Sequence, residues 1–414
     1  MQIMLESSPL RNLHEEYAAS LRAAWSAPRA KSGGELDGEG PFEIEYLPYG
    51  PSSPNPNQEG DEKSVEIVAT FGPVEAEYAA IRRGAGILDR PQRGVIRVRG
   101  ADRREFLNRL LTQDLKDVVP GSVRRSFWLN RRGRIDADLV IVEREQETLL
   151  DLDRHQLDST VEALSAFIFT EDVEIAPANE LHRIALHGRR AAEVMGAATG
   201  SSAPVLFAPG QALDVKIGAC EALCARNDET GEVGFELFVS RAHVETVWRG
   251  LLETDQALSE GKRRIRPVGW LAYNIARIEA GTPLNNIDFG PTNLPHETGV
   301  LDDRVSFTKG CYLGQEVVAR MHHLGKPKQV LVGLRVEDDR LPVAGAQVFE
   351  SREGSPGDQI GVITSSTLSP MLGAAPIAFA MIRSKHAETG TEVVVNAEGA
   401  QARAAVHQLR FWPE

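Results

Sequence analysis

The sequence predicts an α+β fold in which split β-α-β units precede a small antiparallel β-barrel. Three observations carry this. Between residues 73 and 326, strand-like alternation repeatedly gives way to helical spacing of apolar residues. RIALHG leads into RRAAEVMG, and GFELFVS into RAHVETVWRGLL, each a strand, a tight turn and an amphipathic helix. After about Lys326 the pattern becomes short strands punctuated by Gly, Pro and Ser, as in a small barrel or sandwich.

The elements follow in order. A first helix is predicted from Pro9 through Leu21. Residues 28–63 are rich in Pro, Gly and Glu without apolar periodicity, and read as an exposed insertion. EAEYAAIRRGAG has helical spacing and stops at glycine; GVIRVRG alternates as a strand. ADRREFLNRLL places Phe106, Leu107, Leu110 and Leu111 on one helical face. SFWLN and IDADLVIVE read as two strands around a turn holding Gly133. LLDLD, a helix over HQLDSTVEALSAFIF and the strand DVEIA come next, and Ser240 is placed to cap a later helix. PVGWLAYNIARIEAG is a further helix with Gly281 at its C-terminal cap. VLVGLRV, AQVFES, IGVITSS, IAFAMIR, TEVVVN and AAVHQLRFW are the barrel strands, which divides the chain into 1–326 and 327–414.

A chain of 414 residues suits two or three packed units, and 42% hydrophobic with 25% charged residues is ordinary for a globular protein. The formal charge of −13 argues against a sequence-independent grip on nucleic acid. No run of about 18 apolar residues is present to span a bilayer. The N-terminus lacks a basic segment followed by an apolar one, so the expected location is the cytoplasm. Three cysteines, Cys220, Cys224 and Cys311, make neither a disulfide framework nor a four-thiolate cluster site. Cys220 and Cys224, four apart on a predicted strand, share one face and are expected to point inward.

The segment richest in chemistry is residues 303–329, DRVSFTKGCYLGQEVVARMHHLGKPKQ. Leu313, Val317 and Met321 predict a helix from about Tyr312 to His322, with Cys311 at or just before its first turn. Unpaired N–H groups and the positive end of the helix dipole favour a thiolate there, and Lys309 acts in the same direction. Gly310 lets the backbone come close to a partner molecule. Arg304, Lys309, Arg320, Lys326 and Lys328 form a local basic patch suited to an anionic ligand or to plain solvation. His322 and His323 are adjacent, face different ways on a helix and have no second pair at ligand spacing, so no metal site is expected.

SFTKGCYLGQE resembles the Lys-Gly-Cys-Tyr-x-Gly-Gln-Glu signature of YgfZ-type proteins, folate-binding relatives of glycine-cleavage T-protein. EYAAIRRGAGILD, ETGEVGFELFV, ARIEAGTPL and IGVITSSTLSP are similar to further family stretches, so the likeness covers nearly everything outside the insertion. The resemblance implies a T-protein-like cloverleaf of split β-α-β folate-binding domains with a C-terminal β-barrel, and tetrahydrofolate as cofactor. It implies a pterin-binding role for Glu236, ligand contacts from Arg277, Asp138 and Tyr312, and reactivity at Cys311 beside Lys309. Two departures from T-proteins bear on activity. Their acidic pair is interrupted here, in Gly133-Arg134-Ile135-Asp136-Ala137-Asp138, and their Ala-Arg-Asp step reads Ala272-Tyr273-Asn274. The resemblance therefore implies a tetrahydrofolate-binding protein that assembles or repairs iron–sulfur enzymes through Cys311, with those enzymes as clients. The alternative is a tetrahydrofolate-dependent aminomethyltransferase. A flavin-linked folate demethylase would carry a Gly-x-Gly-x-x-Gly fingerprint, which is absent.

Overall fold

A computed structural model describes residues 5–31, 43–50, 64–201, 208–258 and 265–412. The chain forms two compact units: residues 1–95, 178–228 and 232–273, and residues 96–177, 229–231 and 274–414.

In the first unit, α1 (Arg11–Lys31) is followed by β1 (Glu45–Tyr49), which pairs antiparallel with β2 (Val65–Thr70). The predicted insertion is thus shorter than its composition suggests, because α1 continues to Lys31 and β1 lies inside it. Its remainder, 32–42 and 51–63, lies outside the described residues. Next come α2 (Val74–Arg83) and β3 (Ala85–Asp89). After the excursion into the second unit follow β9 (Leu181–His187), α5 (Ala191–Thr199), β10 (Ala212–Ile217), β11 (Cys220–Arg226), β12 (Gly234–Ser240), α6 (Val244–Leu258) and β13 (Ile265–Pro267). The six-stranded sheet has the order β10-β11-β12-β9-β3-β13. Its core joins Leu10, just before α1, and Leu13 of α1 to Phe235, Leu237, Trp248 and Leu251, and takes in Cys220 and Cys224, both inward as the spacing requires. The Ser240 carbonyl, at 2.8 Å, accepts the His243 N–H one residue before α6, so the turn closes through backbone.

The second unit contains a five-stranded sheet, order β5-β6-β7-β4-β8, and the barrel. Its elements are β4 (Arg93–Arg99), α3 (Arg103–Leu110), β5 (Val123–Leu129), β6 (Ile135–Glu143), β7 (Glu147–Asp153), α4 (Leu157–Ser165) and β8 (Glu174–Pro177). The helix predicted over 155–169 is shorter than its pattern. It opens as a 3₁₀ turn over Arg154–Gln156, capped by Asp153, and stops at Ser165. Then come α7 (Trp270–Ala280), α8 (Leu301–Arg304) and α9 (Gln315–Leu324). The barrel closes as β14-β17-β16-β15-β18-β19 over β14 (Gln329–Val336), β15 (Gln347–Arg352), β16 (Ser355–Ser369), β17 (Ala375–Arg383), β18 (Glu392–Ala397) and β19 (Ala400–His407). Closure leaves no sheet edge to be capped by another chain. One apolar cluster fixes the candidate site: Phe127, Leu129 and Ile135 of the sheet meet Tyr312, Val318, Leu331, Ile377 and Phe379. Each such burial contributes about 1.5–3 kcal/mol, so the sheet, the Cys311 segment and the barrel hold one another in register.

Candidate functional site

Glu236 lies on β12, and every residue from Gly234 to Val239 is buried, so the strand shows no polar face. One carboxylate oxygen accepts from Arg90 Nη1 and the other from Arg183 Nη2 at 2.8 Å. Arg90 Nη2 also donates to the Tyr273 hydroxyl at 3.2 Å, and the Arg183 guanidinium lies 3.5 Å from the centroid of the Phe238 ring. His187 Nε2 and Asn227 Nδ2 lie 3.6 and 3.5 Å from Glu236 Oε1. A carboxylate held by two guanidiniums in a dry setting is committed to the protein's own cations, and its charge is not offered outward. Arg90 and Arg183 come from β-strand regions distant in sequence, and no motif announced them.

In the second unit, strand alternation sorts the interrupted acidic pair. Ala137 is fully buried in the sheet's apolar core, whereas Asp136 and Asp138 share the opposite, half-buried face of β6. Asp138 is taken by Arg304, whose Nε lies at 3.1 Å and Nη2 at 3.4 Å. Asp136 accepts one hydrogen bond, from Asn130 Nδ2 at 2.9 Å, and among the described residues no cation pairs with it. Burial raises the Asp136 carboxyl above its ordinary range, and the Asn130 hydrogen bond opposes that rise. The sequence reading favoured Asp138; the geometry makes Asp136 the available carboxylate. Its two-residue spacing from Asp138 in a strand was the signal, since residues i and i+2 share a face.

The Cys311 segment differs from its helical prediction. The helix α9 starts at Gln315 with Gly314 as its N-cap, so Cys311 lies outside regular structure, four residues before the first helical residue. Lys309 is also turned away from the role expected of it. Its ammonium donates to the carbonyls of Asn108, Leu111 and Gln113 at 2.7, 2.7 and 2.8 Å, consuming all three N–H groups. Burial lowers Lys309 to about 8. Tyr312 is packed in the core, and burial pushes its hydroxyl up to about 12. Cys311 itself is an exposed free thiol. A Cβ on Gly310 would meet open space, so nothing in the chain's own packing requires glycine there.

The segment abuts the β5–β6 turn. Gly133 and Gly314 both have positive φ, +70° and +80°, and pack backbone against backbone. A Cβ on Gly314 would stand 2.7 Å from the Asn130 carbonyl oxygen, and one on Gly133 2.9 Å from Val317 Cβ. Only glycine allows both the conformation and the approach.

Arg277 is fully buried and committed. It donates to Asn274 Oδ1 (2.8 Å), Thr282 O (3.1 Å), Asp288 Oδ2 (2.7 Å) and Ser365 Oγ (2.7 Å), which ties α7 to the barrel strand β16. The basic patch also contracts. Arg304 and Lys309 are buried, leaving Arg320, Lys326 and Lys328 exposed. His322 stacks on Phe307, ring centroids 3.8 Å apart at 18°. Among the described residues, no helix is long and apolar enough to cross a membrane.

An aminomethyltransferase of Geobacillus sp. (strain WCH70) is 28% identical over 349 residues, spanning 84% of this chain and 92% of that protein. One from Caldanaerobacter subterraneus subsp. tengcongensis is 28% identical over 345 residues, spanning 83% and 88%. The crystal structure of glycine cleavage system aminomethyltransferase T from Bartonella henselae superposes with a TM-score of 0.78 at 24% identity, over 98% of each chain, and shares the fold. The family described as GCVT N-terminal domain matches residues 56–309, and the glycine cleavage T-protein C-terminal barrel domain matches 329–412. With the α+β sheets and the closed six-stranded barrel in place, these matches establish that the chain belongs to the glycine-cleavage T-protein family.

Proposed function

We propose that this chain is a tetrahydrofolate-binding protein of the YgfZ-type branch, serving the assembly or repair of iron–sulfur enzymes in the cytoplasm through Cys311. The observation that carries this reading is the Cys311 segment. Lys309, Tyr312 and Gly314 are all committed to fixing the backbone, while the thiol and the unobstructed Gly310 face outward. A rigidly held, exposed cysteine suits exchange with a client thiol or a single thiolate contact to iron. Cys220 and Cys224 are buried, so the chain does not supply a four-thiolate set of its own.

The residues fit a reduced folate in part. Asp136, half-buried and without a cationic partner among the described residues, offers an acceptor for N–H groups. Glu236 and Arg277 are occupied by the protein's own side chains and would have to exchange partners to reach a ligand. A bound tetrahydrofolate would supply a one-carbon-accepting amine; the part of this chain is to bind and orient it.

A titration with tetrahydrofolate, read by binding heat and thermal shift, tests the reading. At 100-fold excess over Kd, binding adds about 2.7 kcal/mol of stability. No shift at millimolar folate removes the folate claim. Cys311→Ser should abolish support of iron–sulfur enzyme activity in cells lacking the native protein, while leaving fold and folate affinity in place.

Aminomethyl transfer is the second reading. The names of the relatives and the available Asp136 carboxylate favour it. An assay with the other glycine-cleavage components decides, and robust turnover by the unmodified chain would replace the first reading. Ala137→Asp is not expected to restore transfer. Position 137 faces the apolar core, and an unpaired carboxylate there costs several kcal/mol.

A further inference from the structure

Asp136 owes its setting to neutral amides. Asn130, just beyond β5, accepts the backbone N–H groups of Arg132 and Arg134 on Oδ1 at 3.0 and 3.2 Å, which fixes the turn. Its Nδ2, oriented by those two bonds, donates to Asp136 Oδ1 at 2.9 Å. Its backbone is equally committed, donating to Arg134 O (3.0 Å) and accepting from Gly133 N (2.9 Å). From the other side, Gln156 Nε2 donates to the Asp136 carbonyl at 2.8 Å, and Asn285 Nδ2 donates to Gln156 Oε1 at 2.6 Å.

Several charged groups on the neighbouring segments are engaged elsewhere, and Arg131 and Arg132 of the turn are exposed. Asp138 is with Arg304, Asp288 with Arg277, and Arg134 donates to Thr292 O with its guanidinium 3.9 Å from Glu297. The hydrogen bond from Asn130 is therefore the one side-chain interaction given to the carboxylate among the described residues.

We propose that Asn130 is the positioning residue for Asp136, holding its carboxylate in one rotamer and in the ionised state in which it accepts an N–H from a bound reduced folate. The inference rests on the folate-binding reading and adds a residue to it. The asparagine does two separable jobs. Its oxygen builds the turn that packs on Gly314, and its nitrogen sets the carboxylate. A residue that only built the turn would leave the Asp136 proton affinity alone.

Asn130→Asp separates the jobs, since it keeps an acceptor for the turn and replaces the donor with a like charge. In the full-length protein with carboxyl-labelled aspartate, the Asp136 signal is assigned by its loss in Asp136→Asn and titrated by carbon NMR. The Asp136 midpoint should rise by about one pH unit or more in Asn130→Asp. For a one-unit rise, tetrahydrofolate affinity at a pH just above the wild-type midpoint should fall about fivefold, with the two proteins converging about two units higher. Asn130→Ala, which drops the turn acceptor as well, should raise the midpoint by less and serves if the aspartate variant does not fold. A midpoint within 0.3 units of wild type in both variants overturns the positioning role, whatever folate does. A raised midpoint with no folate binding at any pH leaves that role standing and overturns the folate reading.

Discussion

Glu236 and Asp136 are both carboxylates on sheet strands, and they have opposite surroundings. Glu236 is met by Arg90 and Arg183 and buried to 4% exposure, so its charge is cancelled inside the first unit. Asp136 is met by Asn130, with Gln156 on its backbone, and lies on the half-buried face of β6. A motif reports that an acid is present. Whether the acid is available depends on the cations the fold brings to it, and these come from elsewhere in the chain. The first acid is engaged by the protein's own cations, and the second, among the described residues, by a neutral amide.

The largest expected effect tests how firmly Glu236 is committed to its two arginines. Glu236→Gln removes the carboxylate that two buried guanidiniums share and should destabilise the protein by about 3–5 kcal/mol in a denaturant titration. A loss under about 1 kcal/mol would mean the arginines have alternative partners and that Glu236 is free to meet a ligand.

A smaller effect should come from the Cys311 segment. Lys309→Met removes three charge-assisted hydrogen bonds to carbonyls and should cost about 2–4 kcal/mol by the same measurement. Cys311→Ser, at an exposed site two residues away, should stay within about 0.5 kcal/mol of wild type. Equal losses would put the thiol among the structural groups and remove the contrast between a fixed backbone and an offered side chain.

The smallest effect concerns Asp136. Its carboxyl is raised in the folded protein, chiefly by burial, so its favourable contribution is complete below the unfolded carboxyl pKa and is lost as pH rises through the folded value. Asp136→Asn removes a charge disfavoured by burial and should therefore stabilise the protein at neutral pH by a few tenths of a kcal/mol, about 1 at most. The gain should vanish near pH 3. A destabilised Asp136→Asn at neutral pH would show a cation partner in solution and make Asp136 resemble Glu236.

Much of the fold was legible. The barrel strands, the two strand-turn-helix units and the inward pair Cys220 and Cys224 follow from local periodicity, which the final packing only had to accept. The start of α9 was not legible. Tyr312 and Leu313 continue the helical apolar spacing but are recruited by neighbouring core clusters, Tyr312 with Phe127 and Leu129 and Leu313 against the sheet core. The helix therefore begins only after the left-handed Gly314.

By itself the sequence determined which reactive residue types stand at the candidate positions: a cysteine between Gly310 and Tyr312, acids at 136 and 138, a glutamate at 236. Alternation along β6 also determined, without any tertiary information, that Asp136 and Asp138 share a face while Ala137 turns inward. Tertiary structure alone decided what each group is free to do. Arg304 closes on Asp138 from 166 residues away, Arg183 on Glu236 from 53, and Lys309 on carbonyls nearly 200 residues before it. Ionic and hydrogen-bond partners are chosen by distance in space, and burial makes an uncompensated charge so costly that each buried group takes the partner the fold brings within reach. Neither spacing nor composition records that choice.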